Sequence, residues 1–204
     1  MVKGYSFSDG IITINRDFTE LDLFLKKFLD VLKEHTDYLV VSGFISISSG
    51  RTRATEDIDV LFPKLSVGKF KLLFDDLLDG GFWCYQGDIS STVYPYVDNL
   101  NSIRFAIKDN IFPNIELVPI DSSRKAKTFE FNNSVLMKVK DFVFRIPLLE
   151  FEILYKELAL KSKKDLEDAK FLRAFFSDIL SSQRFSECKQ VILDDINDWG
   201  KNDG

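Results

Sequence analysis

Apolar side chains recur at intervals of three and four residues along two early stretches of the chain, and this spacing predicts amphipathic helices. The first stretch is 18–34, where Asp17 or Thr19 could cap the helix. The second is 65–78, and two glycines at 80–81 end it. Near the C-terminus we predict three more helices, over 147–160, over 166–176 starting from Asp165, and over 186–199.

Short runs rich in β-branched and aromatic residues predict strands between and after the early helices. The predicted strands are 10–15, 38–42, 57–62, 82–85, 102–107, 113–120, 128–131, 135–139 and 142–146. Segment 88–99 is ambiguous, with a short helix broken near Pro95 as one reading, and 121–127 is a turn or a short helix. Strands mixed with helices, followed by helices alone, predict an α/β or α+β fold with a helical C-terminal extension. We place the boundary near Pro147, which gives a core of 1–146 and a helical extension of 147–204 packed on it.

Two carboxylates interrupt one of these otherwise apolar strands. In 57–62, Asp57 and Asp59 alternate with Ile58 and Val60. Residues two apart in a strand point to the same face, so the two carboxylates lie side by side with Cα atoms about 6–7 Å apart. Such a pair is costly unless a cation bridges it, and oxygen ligands suit Mg²⁺ or Mn²⁺. The pattern therefore favours a metal site and phosphoryl chemistry.

Acidic pairs with this spacing also occur at Glu20/Asp22 and Glu150/Glu152. Those pairs lie in segments with helical periodicity, where residues two apart do not share a face. The strand context therefore singles out the pair in 57–62, for which the alternative reading is a strand end with solvated acids.

Composition narrows the class of protein. The 204 residues suffice for one domain, or for one domain with an appendage. A formal net charge of −5 and a pI of about 5.0 argue against a protein that coats polyanions. No apolar run approaches the ~20 residues that cross a bilayer, and residues 1–10 lack the apolar region of a signal peptide. We therefore expect a cytoplasmic protein.

Cysteine and histidine are scarce. Cys84 and Cys188 are expected as two buried thiols in a reducing compartment, with a disulfide between them left open. The sole histidine, His35, lies at the end of the predicted helix 18–34, where a cap or dipole role is expected. One histidine cannot form a His-rich zinc site.

A longer stretch resembles the defining signature of the DNA polymerase β-type nucleotidyltransferase superfamily. That signature is a turn of small residues, a spacer and an apolar-flanked Asp-x-Asp, which correspond here to Ser42-Gly43 and to the run DIDV from Asp57. A third acidic residue on a later strand completes the signature, and Glu116 in the run IELV stands in that place. Position 42 carries Ser where many members carry Gly.

Two further segments are similar to a small prokaryotic branch that includes the AbiEii-type toxins of toxin–antitoxin systems. The run GRTRATEDID from Gly50 resembles the loop of that branch before its Asp-x-Asp. Lys156, followed by the run KDLEDA with Asp165 and Asp168, resembles its C-terminal element, with a slightly longer spacing. The resemblance covers 38–172, which is most of the chain.

The resemblance implies a nucleotidyltransferase-like mixed sheet flanked by helices, and a reaction that depends on Mg²⁺ or Mn²⁺. It implies that Asp57, Asp59 and Glu116 are the catalytic residues and hold the metal. The residues implied in nucleotide binding are Ser42, Gly43, Arg51, Arg53, Lys156, Asp165 and Asp168.

The chemistry of these residues suits the implied roles, but each residue also has a simpler structural explanation. Small side chains at Ser42-Gly43 let phosphates approach backbone N–H groups at a helix N-terminus, but they also suit any tight turn. Guanidinium groups at Arg51 and Arg53 could bind a triphosphate or an acceptor, or could belong to a solvated loop. Asp165 could be a helix N-cap.

We therefore expect an enzyme that transfers NMP from an NTP to a hydroxyl acceptor and releases pyrophosphate. RNA (for instance a tRNA end), a protein side chain and a small molecule all stay open as acceptors. The alternative is a catalytically silent nucleotide-binding or regulatory module with the same fold. The resemblance also makes an antitoxin-type partner plausible, and we expect no membrane partner.

Overall fold

The computed structural model describes residues 4–202, with side chains described as far as residue 198. Residues 1–3 and 203–204, the ends of the two predicted domains, lie outside the described part. Contacts within the described residues group the chain into two compact units. The first unit comprises 4–16, 45–53 and 122–202, and the second comprises 17–44 and 54–121. The predicted division after residue 146 stays a prediction.

Nine strands and eight helices make up the described chain. The strands are β1 (Tyr5–Ser8), β2 (Ile11–Ile14), β3 (Leu39–Val41), β4 (Asp57–Pro63), β5 (Phe82–Cys84), β6 (Ile103–Ile107), β7 (Asn114–Ile120), β8 (Ser134–Val139) and β9 (Phe142–Pro147). The helices are α1 (Glu20–Leu32), α2 (Gly43–Ser48), α3 (Val67–Asp79), α4 (Ser90–Asp98), α5 (Lys125–Asn132), α6 (Leu149–Tyr155), α7 (Lys163–Phe175) and α8 (Ser182–Asn202). A π-helical turn, Lys156–Leu160, continues α6.

The second unit is built on a five-stranded mixed sheet with the order β3-β4-β7-β6-β5. Strands β4 and β7 are parallel, and the other neighbours are antiparallel. Helices cover one face, because Phe28 of α1 and Phe74 of α3 both pack against Phe105 of β6, with ring centroids 5.8 and 5.9 Å apart. Ile58 and Ile115 lie in the same register row as Phe105 and are fully buried with it.

The first unit contains a four-stranded sheet, with the order β1-β2-β8-β9, and the helices of the C-terminal region. Strands β2 and β8 are parallel neighbours. A separate apolar cluster joins α5, α6 and α8 around Phe151, with Ala126, Cys188 and Ile192 buried against it. The predicted helical C-terminal region is therefore present as α6, α7 and α8.

The prediction of a mixed α/β fold with helices flanking a mixed sheet is confirmed. The predicted strand 128–131 is wrong, because those residues belong to helix α5. Phe129 and Phe131 alternate as they would in a strand, but Ala126 and Phe129 lie on one helix face and both pack in the Phe151 cluster.

The structure differs from several smaller predictions and agrees with others. Strand β1 was not predicted, and α4 continues past Pro95 to Asp98. Helix α7 begins at Lys163 with Ser162 as its N-cap, so the reading of Asp165 as the cap is wrong. Both cysteines are buried free thiols. Within residues 4–202, no helix is both long and apolar enough to span a membrane.

Candidate functional site

Three carboxylates lie on one face of the sheet in the second unit. Asp59 of β4 is the register partner of Glu116 on the parallel neighbour β7. Register partners on adjacent strands point to the same face with backbones about 4.8 Å apart, and Asp57, two residues before Asp59 on β4, lies on that face too. Ile58 and Val60 point to the opposite, helix-covered face and are fully buried. The alternation expected from the sequence therefore places Asp57, Asp59 and Glu116 together on the face opposite helices α1 and α3.

The carboxylate of Glu116 is held by two donors from β6 and the residue before it. Ser102 Oγ donates to Oε1 at 2.6 Å, and Arg104 Nη2 donates to Oε2 at 2.5 Å. Arg104 is also the register partner of Glu116 on β6. The side chain of Glu116 is 19% exposed and that of Arg104 is 40% exposed. This ion pair therefore lies at the border between the sheet and solvent.

Asn114 occupies the position beside Asp57. It is the register partner of Asp57 on β7 and is almost fully buried. Its Nδ2 donates to the backbone oxygen of Glu56 at 3.1 Å, while its Oδ1 has no hydrogen-bond partner within residues 4–202. Thr55 Oγ1 donates to the backbone oxygen of Asp57 at 2.9 Å. An unpaired buried oxygen next to the carboxylates adds an acceptor to this face.

The oxygens on this face are those that a hard divalent cation prefers. Asp57, Asp59 and Glu116 thus fit Mg²⁺ by type and by shared face. Among the residues whose side chains are described, no three His, Cys, Asp or Glu groups converge closely enough to hold a metal ion. Both carboxylate oxygens of Glu116 accept hydrogen bonds, from Ser102 and from Arg104.

The turn at Ser42-Gly43 comes directly after this acidic row. Strand β3 ends at Val41, the register partner of Asp59, and α2 begins at Gly43. Ser42 has a φ of +65°, which is the left-handed conformation that non-glycine residues adopt at a cost. The small-residue turn is therefore present, and the position that needs glycine-like freedom is 42.

An aromatic pair lies further along the same sheet face. Trp83 and Tyr85 stack with centroids 4.5 Å apart and an interplanar angle of 14°. The backbone N–H of Tyr85 donates to the oxygen of Arg104 at 2.9 Å, which continues the row of Glu116 and Arg104. Burial raises the pKa of Tyr85, although the nearby Arg104 charge acts in the opposite direction.

The two predicted arginines lie in the first unit, where both contact one aspartate. Arg53 Nη1 is 3.0 Å from Asp168 Oδ2, and Arg51 donates through Nη1 to Asp168 Oδ1. Arg51 also reaches Glu167, with Nη2 2.8 Å from Oε2. The segment from Gly50 is therefore a loop fastened to helix α7 by ion pairs, and the reading of these arginines as solvated is wrong.

Lys156 lies on the other side of the same aspartate. Its Nζ is 3.3 Å from Asp168 Oδ2, 3.7 Å from Asp165 Oδ1 and 3.1 Å from Glu152 Oε1. Lys156 is 1% exposed and Asp168 is fully buried. We call the residues joined by these ion pairs the ionic cluster: Arg51, Arg53, Lys156, Glu152, Asp165, Glu167 and Asp168.

The ionic cluster has more carboxylates than cations. Four carboxylates surround two guanidinium groups and one ammonium group. Asp165 lies in the first turn of α7, where its backbone N–H donates to Ser162 Oγ at 3.1 Å. In this arrangement, the positive charges expected to meet a triphosphate are already matched by acidic side chains.

The ten predicted residues thus fall into two groups. Asp57, Asp59, Glu116 and the turn Ser42-Gly43 lie in the second unit, at or beside adjoining strands of one sheet. The other five predicted residues, Arg51, Arg53, Lys156, Asp165 and Asp168, meet in the ionic cluster of the first unit. Their roles in metal or nucleotide binding stay predictions.

Sequence reasoning missed five residues that complete these groups. Ser102, Arg104 and Asn114 join the acidic face, and Glu152 and Glu167 join the ionic cluster. Arg104 has a signal, because it is the charged residue within the apolar run IRFAI. Its pairing with Glu116 depends on strand register, which that run does not encode.

No protein-family model matches the chain, and no curated protein matches it. Two solved structures are similar in overall path. One is the lincosamide antibiotic adenylyltransferase LnuA bound to lincomycin, with 15% identity over 78% of this chain and 99% of that chain, at a TM-score of 0.49. The other is the antibiotic-resistance factor ANT(2'')-Ia, with 12% identity over 89% of this chain and 96% of that chain, at a TM-score of 0.48. Values this low establish neither family membership nor a shared substrate.

Proposed function

We propose that this protein is a Mg²⁺-dependent nucleotidyltransferase that transfers NMP from an NTP to a hydroxyl acceptor. The observation that supports the proposal is the row formed by Asp57, Asp59 and Glu116. Asp59 and Glu116 are register partners on parallel strands, and all three carboxylates share one face of the sheet, opposite helices α1 and α3. Three acids on one face repel one another unless cations neutralise them, so the arrangement suits a site that binds a divalent ion.

Asp57, Asp59 and Glu116 are the residues that would hold the metal, with Mn²⁺ as a substitute for Mg²⁺. When bound, the ion neutralises charge on the phosphates and favours departure of pyrophosphate. In the reaction, the acceptor oxygen forms a bond to the α-phosphorus, the bond from that phosphorus to the pyrophosphate oxygen breaks, and the acceptor loses its proton. Glu116 on β7 would assist removal of that proton.

The nucleotide would approach the turn after β3. Ser42 and Gly43 have small side chains, so phosphate oxygens could come close to the backbone there. Arg51 and Arg53 are proposed to contribute to nucleotide binding through partial release from Asp168, which now pairs with both of them. Lys156, Asp165 and Asp168, which meet these arginines in the ionic cluster, are proposed to take part in nucleotide binding as well.

A radiolabelling experiment tests the proposal. The protein is incubated with each α-³²P-labelled NTP, Mg²⁺ and either total RNA or lysate protein, and the labelled species is identified by electrophoresis. We expect label on one class of acceptor, and we expect the Asp57→Asn/Asp59→Asn double variant to lower labelling at least about 100-fold. Labelling that survives in the double variant contradicts the proposed metal site.

Thermal unfolding distinguishes turnover from binding alone. With one NTP and Mg²⁺, the wild-type midpoint should rise, and the rise should be lost in the double variant. A metal-dependent rise without any labelled acceptor would favour the silent nucleotide-binding module. No rise with any NTP would contradict nucleotide binding.

We also infer, from the family resemblance alone, a toxin-type role with an antitoxin-type protein as partner. Induced expression of the wild-type chain in bacteria should then slow growth, whereas the double variant should not. Equal growth of the two strains, at matched protein levels, would contradict this role without affecting the proposed chemistry.

A further inference from the structure

We propose that Arg104 is an internal cation that holds Glu116 in the metal-free protein and must release it before Glu116 can ligate a divalent ion. This inference rests on the proposed function, because it presumes a metal at Asp57, Asp59 and Glu116. Arg104 is thus a positioning residue that sets the affinity of the site for its metal.

Each carboxylate oxygen of Glu116 already accepts a hydrogen bond. Ser102 Oγ lies 2.6 Å from Oε1 and Arg104 Nη2 lies 2.5 Å from Oε2. Both distances are short, as is usual when a hydrogen bond joins charged or strongly polar partners. A metal ion that uses Glu116 must therefore compete with these donors for the same oxygens.

Arg104 also places a positive charge beside the row of carboxylates. Asp59 on β4 is the register partner of Glu116, and Asp57, two residues before it, lies on the same face. The guanidinium of Arg104 adds a positive charge beside Glu116, on the side of β6. Removing it leaves the carboxylates with less compensation, which strengthens their attraction for a divalent cation.

The ion pair between Arg104 and Glu116 can be broken at a low cost in free energy. Its side chain is 40% exposed, and within residues 4–202 its side-chain ion pair is with Glu116. Partly exposed ion pairs contribute little net stability, because solvent screens them. The contact therefore favours the metal-free state without locking it, and a bound cation can displace the guanidinium.

The test measures Mn²⁺ binding in the absence of nucleotide, by the loss of the free Mn²⁺ signal in electron paramagnetic resonance. The variants are Arg104→Gln, Arg104→Lys and, as a matched loss of one charge, Lys108→Gln at an exposed position after the same strand. We expect Arg104→Gln to bind Mn²⁺ at least about fivefold more tightly than wild type. Arg104→Lys should restore nearly wild-type affinity, and Lys108→Gln should leave it unchanged.

A second variant removes the hydrogen bond to the other carboxylate oxygen of Glu116. Ser102→Ala removes the donor to Oε1 while keeping the charge of Arg104. We expect a smaller gain in Mn²⁺ affinity, about twofold, because this hydrogen bond comes from a neutral group. Ser102→Ala also keeps the inference testable if Arg104→Gln does not fold.

The outcomes separate the two proposals. If wild-type Mn²⁺ binding is the same in Asp57→Asn/Asp59→Asn, the metal site itself is wrong, and this inference is overturned with it. If the double variant loses Mn²⁺ but Arg104→Gln binds no more tightly than Lys108→Gln, Arg104 does not control the site and only this inference is overturned. A gain in Arg104→Lys equal to that in Arg104→Gln would also overturn it, because the cation would then be irrelevant.

Discussion

Lys156 and Asp168 form an ion pair that is almost completely removed from solvent, with Nζ 3.3 Å from Oδ2. The same carboxylate also accepts hydrogen bonds from Arg51 and Arg53. Burying a charge is costly unless it is paired, and Asp168 meets that requirement with three cations. The loop from Gly50 and helix α7 are therefore joined at Asp168, which contacts both arginines of the loop.

We predict that Asp168→Asn lowers the free energy of unfolding by about 3–5 kcal/mol, because it leaves buried cations without their carboxylate. Urea denaturation measures the change. Glu167→Gln is the control, since Glu167 also pairs with Arg51 but is 53% exposed, and it should cost less than about 1 kcal/mol. Equal losses in the two variants would mean that the burial of Asp168 does not determine its contribution to stability.

The turn at Ser42 gives a second prediction. Its φ of +65° is unfavourable for a residue with a Cβ and most unfavourable for a β-branched one. We expect Ser42→Val to lower stability by about 1–2 kcal/mol relative to Ser42→Gly, as measured by the thermal midpoint of each variant. The reverse ranking would show that residue 42 does not adopt the left-handed conformation.

The N-terminus of α1 is closed by a capping box, which supplies a third prediction. Thr19 Oγ1 accepts from the backbone N–H of Asp22 at 3.3 Å, and Asp22 Oδ2 accepts from the backbone N–H of Thr19 at 2.7 Å. Thr19→Ala should lower the free energy of unfolding by about 1 kcal/mol, and Thr19→Ser, which keeps the hydroxyl, by much less. Denaturant titrations of the two variants decide between a capping role and a packing role for the side chain.

The raised pKa values of the two thiols predict that the folded protein becomes less stable at alkaline pH. Burial raises the pKa of Cys84 to about 11 and that of Cys188 to about 11. A thiol ionises more easily in the unfolded chain, with a pKa of about 8.5, so the stability linked to each thiol is complete below that pH and is lost as the pH rises toward 11.

Alkylation and unfolding measure this effect. At pH 8, iodoacetamide should label neither thiol appreciably until urea unfolds the protein, because the thiolate is the reactive form. Between pH 8 and pH 10.5, wild-type stability should fall more steeply than that of Cys84→Ala. Parallel pH curves, or rapid labelling of the native protein, would contradict the burial of these thiols.

Local patterns predicted the elements whose hydrophobic period is clear. The helix expected over 18–34 is found as Glu20–Leu32, and the acidic strand expected over 57–62 is found as Asp57–Pro63. Both carry unambiguous periodicity, with Phe24, Phe28 and Leu32 on one helix face and Ile58 and Val60 on one strand face. The shared face of Asp57 and Asp59 followed from that period directly.

Features that depend on distant partners could not be predicted in this way. The contact of Arg104 with Glu116 requires the register between β6 and β7, which a run of sequence does not specify. The pattern over 128–131 predicts a strand where the second half of α5 is found, because short apolar alternation is ambiguous and packing against Phe151 decides between the two. Ser162 and Asp165 are both suitable caps, and the end of the preceding π-helical turn selects Ser162.

Because of that π-helical turn, the ionic cluster also depends on the number of residues between Lys156 and helix α7. A π-helical turn holds more residues than an α-helical one, and here Lys161 N–H bonds back to Lys156 O before Lys161 adopts a left-handed φ of 59°. Deleting one residue between them would alter no charge in the cluster, yet it would rotate the chain that follows by about 100°. Asp165 and Asp168 would then turn away from Lys156, so the cluster is encoded by spacing as much as by charge.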